Sequence, residues 1–182
     1  LSGKWWLWEQ FGIKPDILAF GKKTQVCGIA VSDRIDQDNV DHCFKISSRI
    51  NSTFGGNLTD MVRATRYIEI VHEQKLLSNI QKQGARILKN LEKLSNRLPI
   101  KQIRGIGGLI SFDLPTSENQ KQLLKTAEEK YQLLILPCGK RSIRFRPALS
   151  VTAAEVDDGL DRLEQSLCKT FSQNSKISFK NI

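Results

Sequence analysis

Lys22 and Lys23 stand side by side in the stretch ILAFGKKTQVCG (residues 17–28), directly after an apolar run and a glycine. A lysine at the end of a buried strand can be desolvated enough to lose its proton, and the neutral amine then attacks an aldehyde to form a Schiff base. The same pair also reads as two ammonium groups reaching from a strand end into water, and the residues alone leave both readings open. Further on, SSRINSTFGGNLTDMV (residues 47–62) sets the hydroxyls of Ser52 and Thr53 and two glycines ahead of a helix start. Donors, close backbone approach and a positive helix end suit an anion such as phosphate. A helix cap after a glycine turn is the plainer reading of those residues. His42 and His72 are 30 positions apart without a partner cluster, so no metal site is expected and both read as surface or capping residues. Cys27, Cys43, Cys138 and Cys168 form no CxxC pair, which argues against a zinc site or a disulfide scaffold.

The elements that position these residues fall into three zones. Residues 1–56 mix short apolar runs with turn signals such as FGIKPD, and predict strands and loops. From Asn57 the spacing becomes helical, with Asn57 and Asp60 as a carboxylate variant of the capping box. The helical signal runs to Leu98, breaks near His72–Leu76, and stops at Pro99. The third zone alternates: IKQIRGIGGLISFDL predicts strand, glycine turn and strand; Ser117–Gln132 a helix; LLILP and SIRFRP strands; residues 152–171 a final helix opened by the Thr152/Glu155 capping box. The polar, lysine-bearing tail 172–182 is expected to be unstructured. Trp5, Trp6 and Trp8 read as core or interface anchors.

At 182 residues and 40% apolar content, the chain can bury a substantial core. No run approaches the roughly 18 apolar residues of a membrane span, and no signal core is visible, so a cytoplasmic, reducing setting is the expectation. The net charge of +9 concentrates between Lys75 and Arg104, where eight basic residues face one acid, Glu92. Lys82, Arg86, Lys89, Lys93 and Arg97 form a stripe opposite a leucine stripe. That is the pattern of a solvated helix face, with a nucleic-acid-binding module on 82–97 as the alternative. Against the alternative, no aromatic residues interleave with the stripe.

In combination these motifs become specific. Pro15-Asp16, the five residues ILAFG, then a lysine, followed by STFGGN and IRFRP, resemble the class III pyridoxal-phosphate aminotransferases, and within them the L-lysine 6-aminotransferase branch. The resemblance runs from Leu1 to about Lys169. It implies an α/β chain, the C-terminal part of a fold-type I PLP-dependent transferase: 1–75 from the large parallel-sheet domain, 76–98 a connecting helix, and 99–171 a small α+β domain. It implies pyridoxal 5'-phosphate as cofactor, with Lys22, counted from Pro15-Asp16, as the Schiff-base lysine and Lys23 a bystander. Thr53, helped by Ser52, would reach the cofactor phosphate of the other subunit of a homodimer with a shared active site. Asn51 would lie near substrate or phosphate, and Arg144 would bind a substrate carboxylate, with Arg146 a lesser helper. The implied reaction moves the terminal amine of L-lysine to 2-oxoglutarate, giving 2-aminoadipate semialdehyde and glutamate.

The same resemblance points to parts outside these residues. The aspartate that pairs with the pyridine nitrogen, the ring-stacking aromatic, a phosphate loop and the acid–arginine pair that sorts the two substrates all belong before SGKWW. The expectation is an incomplete chain with little activity of its own, a non-catalytic dimerisation remnant being the alternative within the family. One turn departs from the family pattern: in RGIGGLISF, Gly108 replaces a larger residue.

Overall fold

The computed structural model describes residues 1–38, 41–46, 49–50, 52–53 and 55–177. The chain divides into two compact units, Trp6–Lys75 and Leu1–Trp5 together with Leu76–Ile182.

The N-terminal unit opens with a 3-10 turn, Leu7–Phe11, entered by the Trp6 N–H donating to Glu9 Oε1 at 2.7 Å. Strand β1 (Ile17–Phe20) pairs antiparallel with β2 (Gly28–Val31), Ile17 opposite Val31 and Phe20 opposite Gly28. The connection 21–27 is shorter than the dozen or so residues a parallel crossover requires, so the pair must be antiparallel. A short helix α1 (Arg34–Asp38) follows, tied to β1 through Asp16, which accepts from Ser32 Oγ and Arg34 Nη1, each at 3.1 Å. Helix α2 (Leu58–Glu73) is capped by Asn57, whose side chain accepts from the Thr59 N–H at 3.0 Å. Asp60 does not complete the box; it accepts from Arg63 at 3.0 Å. Ala64 is the one buried apolar side chain described in this unit.

The C-terminal unit is built around α3 (Leu76–Ser95), whose Ile80, Gly84, Ile87, Leu91 and Leu94 recur at three- and four-residue steps and are buried. They face a four-stranded antiparallel sheet in the order β3-β4-β6-β5: β3 Lys101–Ile106, β4 Leu109–Asp113, β5 Leu136–Cys138 and β6 Ser142–Phe145. Alternation selects the core face: Ile110, Phe112 and Ile143 are at most 2% exposed. LLILP is thus only partly a strand, since β5 begins at Leu136. Helices α4 (Ser117–Tyr131, capped by Thr116) and α5 (Ala153–Ile177) complete the layer with Leu123, Ala127, Leu163 and Leu167. The Thr152/Glu155 box forms, the Thr152 N–H donating to Glu155 at 2.8 Å and the Glu155 N–H to Thr152 Oγ1 at 3.2 Å. Helix α5 continues to Ile177, six residues into the segment expected to be unstructured, and 178–182 lie outside the described residues.

One contact explains a glycine inside a helix. A Cβ on Gly84 of α3 would sit 1.9 Å from the carbonyl oxygen of Gly107 in the β3–β4 turn, so helix and turn touch backbone to backbone. The next glycine, Gly108, donates its N–H to the Leu1 carbonyl at 3.0 Å, and a Cβ there would press on Ile80 at 2.7 Å. The turn thus takes the segment Leu1–Trp5 in place of side chains. No helix among the described residues is long and apolar enough to cross a membrane.

Candidate functional site

Lys22 opens a 3-10 turn, Lys22–Thr24, in the connection between β1 and β2. Its backbone is left-handed, φ 56°, and so is Gln25 at φ 64°, whose N–H donates to the Lys22 carbonyl at 3.0 Å. Two non-glycine residues in this region within one turn mark strain of the kind that collects at functional positions. Both Lys22 and Lys23 are exposed, and no described acid pairs with the Lys22 amine. The desolvation suggested by a buried strand is therefore not observed: β1 is a half-exposed strand of a two-stranded ladder, and water reaches the turn. Beside the turn, Trp6, Trp8, Phe11 and Phe20 line an open apolar hollow of about 580 Å³ that ends at Gly21 and Thr24. Trp6 and Phe20 meet at 5.9 Å between ring centres, so that tryptophan is an anchor, whereas Trp5 is 46% exposed.

Ser52 and Thr53 are exposed on the glycine turn that leads to α2, where the Gly55 N–H donates to the Ser52 carbonyl at 2.9 Å. Asn51 lies outside the described residues. His42 corrects an expectation: its side chain is only 9% exposed, not on the surface, and its Nε2 is bound to Asp36 at 2.8 Å. That contact is the main cause holding the Asp36 carboxyl below its ordinary range.

Arg144 belongs to the C-terminal unit. On the sheet face turned away from the core, Arg104, Ser111, Arg144 and Leu136 form one row across the four strands, and Lys101, Asp113, Ser142 and Cys138 form the next. Asp113 collects its neighbours: Ser142 Oγ donates at 2.7 Å, Arg104 Nη1 at 2.9 Å, and Arg141 Nε stands at 3.8 Å. The Ser142 hydrogen bond, with help from Arg104, holds the Asp113 carboxyl below the usual range. Arg144 has no ion-pair or hydrogen-bond partner among the described residues. Arg144 also lines a cavity of about 330 Å³, together with Leu133, Leu136, Arg146, Val156 and Leu163. Asp113 and Ser142 were not singled out in the sequence, and Arg104 only as part of the basic cluster; their signal is the alternation of IRGIGGLISFDL and SIRF, whose non-core positions carry these polar residues.

The basic stripe of α3 is partly spent. Arg86 forms a two-pronged pair with Asp157 of α5, and Arg97 meets Glu164 at 2.6 Å, while Lys82, Lys89 and Lys93 remain exposed. Two of five cations are thus fastened within the unit rather than presented to a polyanion.

The structure thus gives the residues singled out in the sequence an exposed amine on a left-handed turn, exposed hydroxyls on a glycine turn before a helix, and a guanidinium on a sheet face without a partner among the described residues. Residues 1–167 match the family model described as Aminotransferase class-III, and the chain belongs to that family. It is 44% identical over 169 residues to an L-lysine-epsilon aminotransferase of Amycolatopsis lactamdurans and 42% identical over 171 to that of Streptomyces clavuligerus. Each comparison covers 92% of this chain but only 37% of the relative, so the chain spans little more than a third of the proteins it resembles. Among solved structures, a lysine aminotransferase from M. tuberculosis in the internal aldimine form superposes with a TM-score of 0.85 at 36% identity, covering 93% of this chain and 39% of that one. The mixed α/β fold is that of part of a class III aminotransferase.

Proposed function

We propose that this chain carries the amine-bearing and carboxylate-binding part of a pyridoxal-phosphate-dependent aminotransferase that moves the terminal amino group of L-lysine to 2-oxoglutarate, giving 2-aminoadipate semialdehyde and glutamate. The observation that carries the reading is Lys22: an exposed amine without an acidic partner among the described residues, on a left-handed turn, in a chain 44% identical to an L-lysine-epsilon aminotransferase. The described residues fit the cofactor's two ends, an amine for its aldehyde and hydroxyls on a glycine turn for its phosphate.

When bound, pyridoxal phosphate supplies an electrophilic aldehyde and a ring that takes up the electron pair left when a proton leaves the substrate carbon. Lys22 does the rest of the proton chemistry. Its Nζ would hold the cofactor through the aldehyde and, as a free amine, would be the base that moves a proton to and from the substrate carbon. Thr53 and Ser52 would donate hydroxyl hydrogen bonds to the phosphate, Thr53 to that of the other subunit of a homodimer, and Asn51 would serve substrate or phosphate. Arg144 offers two parallel N–H donors to a carboxylate, a geometry lysine cannot copy, with Arg146 as a helper.

Borohydride reduction of the chain with pyridoxal phosphate, followed by peptide mass mapping, tests the reading. The expected result is a pyridoxyl adduct on Lys22 well above that on its exposed neighbour Lys23. Equal labelling of the two would overturn it. Turnover by these 182 residues alone is expected to be slight, because they correspond to 37% of the relative's length.

A further inference from the structure

Arg144 has an acid within reach that it does not use. In the antiparallel register Asp113 faces Ser142 and Ser111 faces Arg144, so Asp113 is the diagonal neighbour of Arg144 on the same sheet face, about 7–8 Å away by backbone geometry. An arginine side chain spans that distance. Asp113 is also the one acidic side chain among the paired positions of that face, and its side chain is only 16% exposed. It is filled by other neighbours, Arg104 from β3, Ser142 from the start of β6 and Arg141 just before it. Arg104 Nη1 donates at 2.9 Å and Ser142 Oγ at 2.7 Å, both to Oδ1, while Arg141 Nε stands 3.8 Å from Oδ2.

The backbone is shaped for this arrangement. The β3–β4 register slips between Lys101 and Arg104, a bulge whose Gln102 is left-handed at φ 51°, and the Gln102 carbonyl accepts from Arg104 Nη1 at 2.6 Å. Bulges re-aim side chains, and this one aims Arg104 at Asp113.

We propose that Arg104 is a positioning residue for Arg144: by occupying Asp113 it prevents that carboxylate from capturing the guanidinium meant for the substrate carboxylate. The proposal rests on the reading of Arg144 as the carboxylate-binding residue. Arg104 touches no substrate; its effect passes through Asp113.

Glutarate, a dicarboxylate of the acceptor's length, is the probe, titrated calorimetrically into the whole chain. Arg144→Gln is expected to abolish binding. Arg104→Gln is expected to weaken it about fivefold, the scale of one competing ion pair, and adding Asp113→Asn to that variant should restore wild-type affinity to within about twofold. Loss of a nearby positive charge alone would also weaken anion binding, so Ser142→Ala, which changes no charge but removes a donor from Asp113, is the discriminating variant and should weaken binding about twofold. It also serves if Arg104→Gln fails to fold. In parallel, the Arg144 Nε–H resonance should shift in Arg104→Gln and return in the double variant. If Arg144→Gln abolishes binding while Ser142→Ala matches wild type and the resonance stays fixed, the positioning role is wrong and the carboxylate reading survives. If wild type does not bind glutarate, or Arg144→Gln binds it as well as wild type, the carboxylate reading falls and this proposal with it.

Discussion

Helices α2 and α3 are separated only by Gln74 and Lys75, yet they are written for different surroundings. In α3 the apolar residues form one stripe, and Ile80, Ile87, Leu91 and Leu94 are all buried beneath the sheet. In α2 the apolar residues lie around the whole circumference: Ala64 is buried, while Leu58 and Val62 are more than 70% exposed, with Met61, Tyr67 and Ile68 also open. A helix apolar on every side requires burial on every side. The contrast holds for the units that contain them: of 16 buried apolar side chains among the described residues, all but Ala64 belong to the C-terminal unit. The C-terminal unit therefore has a core of its own, whereas the N-terminal unit, which carries Lys22, displays the apolar surface that a core would use.

The largest test of this contrast is truncation. Phe112→Ala, at a position 0% exposed, is expected to cost about 3–5 kcal/mol and to unfold the C-terminal unit at moderate temperature. Val62→Ala and Ile17→Ala, at 72% and 60% exposure, should cost within about 0.5 kcal/mol. Denaturant titration with residue-resolved hydrogen exchange reads both. Comparable losses from the two sets would show that the N-terminal unit has a core after all.

Next in size are two glycines. Gly84→Ala would drive a methyl group into the Gly107 carbonyl and should cost about 1–3 kcal/mol, more than the roughly 1 kcal/mol that alanine gains in a helix. Gly159, in α5, has open space around its missing Cβ, so Gly159→Ala should stabilise by about 0.5–1 kcal/mol. Thermal midpoints moving in opposite directions confirm that α3, unlike α5, is held by backbone contact. Smaller again, Thr152→Ala removes the cap of α5 and should cost about 1 kcal/mol, seen as faster exchange of the first-turn amides alone.

The parts legible in the sequence were those governed by neighbours along the chain. The helix from Asn57, its break before Leu76 and the Thr152/Glu155 box depend on spacing and caps, and they fold as read, whereas α3 ends at Ser95, short of the Leu98 expected from the stop at Pro99. What escaped depends on partners distant in sequence. The environment of Lys22 could not be read, because ILAF looks the same whether a strand is covered or, as here, half-exposed. The filling of Asp113 required the β3–β4–β6 register and a bulge at Gln102 that no spacing rule announces. Gly84 looked like an ordinary weak point of a helix until Gly107 was placed against it.

The smallest effect expected is with pH, and it too separates the units. In the C-terminal unit Asp113, Glu118, Glu155 and Asp157 are held below their ordinary pKa, chiefly by hydrogen bonds from Ser142, Ser117, the Thr152 N–H and Arg86 respectively. In the N-terminal unit Asp36 alone is lowered among the described residues, chiefly by His42. A carboxyl whose folded pKa lies below its unfolded value contributes stability above the unfolded pKa and loses it as pH falls through the folded one. With unfolded values near about 4, the C-terminal unit should lose stability progressively below about pH 4, and little should change between about pH 5 and 7. Most of these groups are exposed, so added salt should flatten the profile, and Asp113, the least exposed of the ion-paired carboxylates, should resist salt longest. Thermal midpoints of wild type and Asp113→Asn between about pH 3 and 6 measure this: the variant's curve should be flatter on the acid side. If the two curves superimpose, Asp113 is not a stabilising charge in this unit, and its role is confined to the neighbouring arginines.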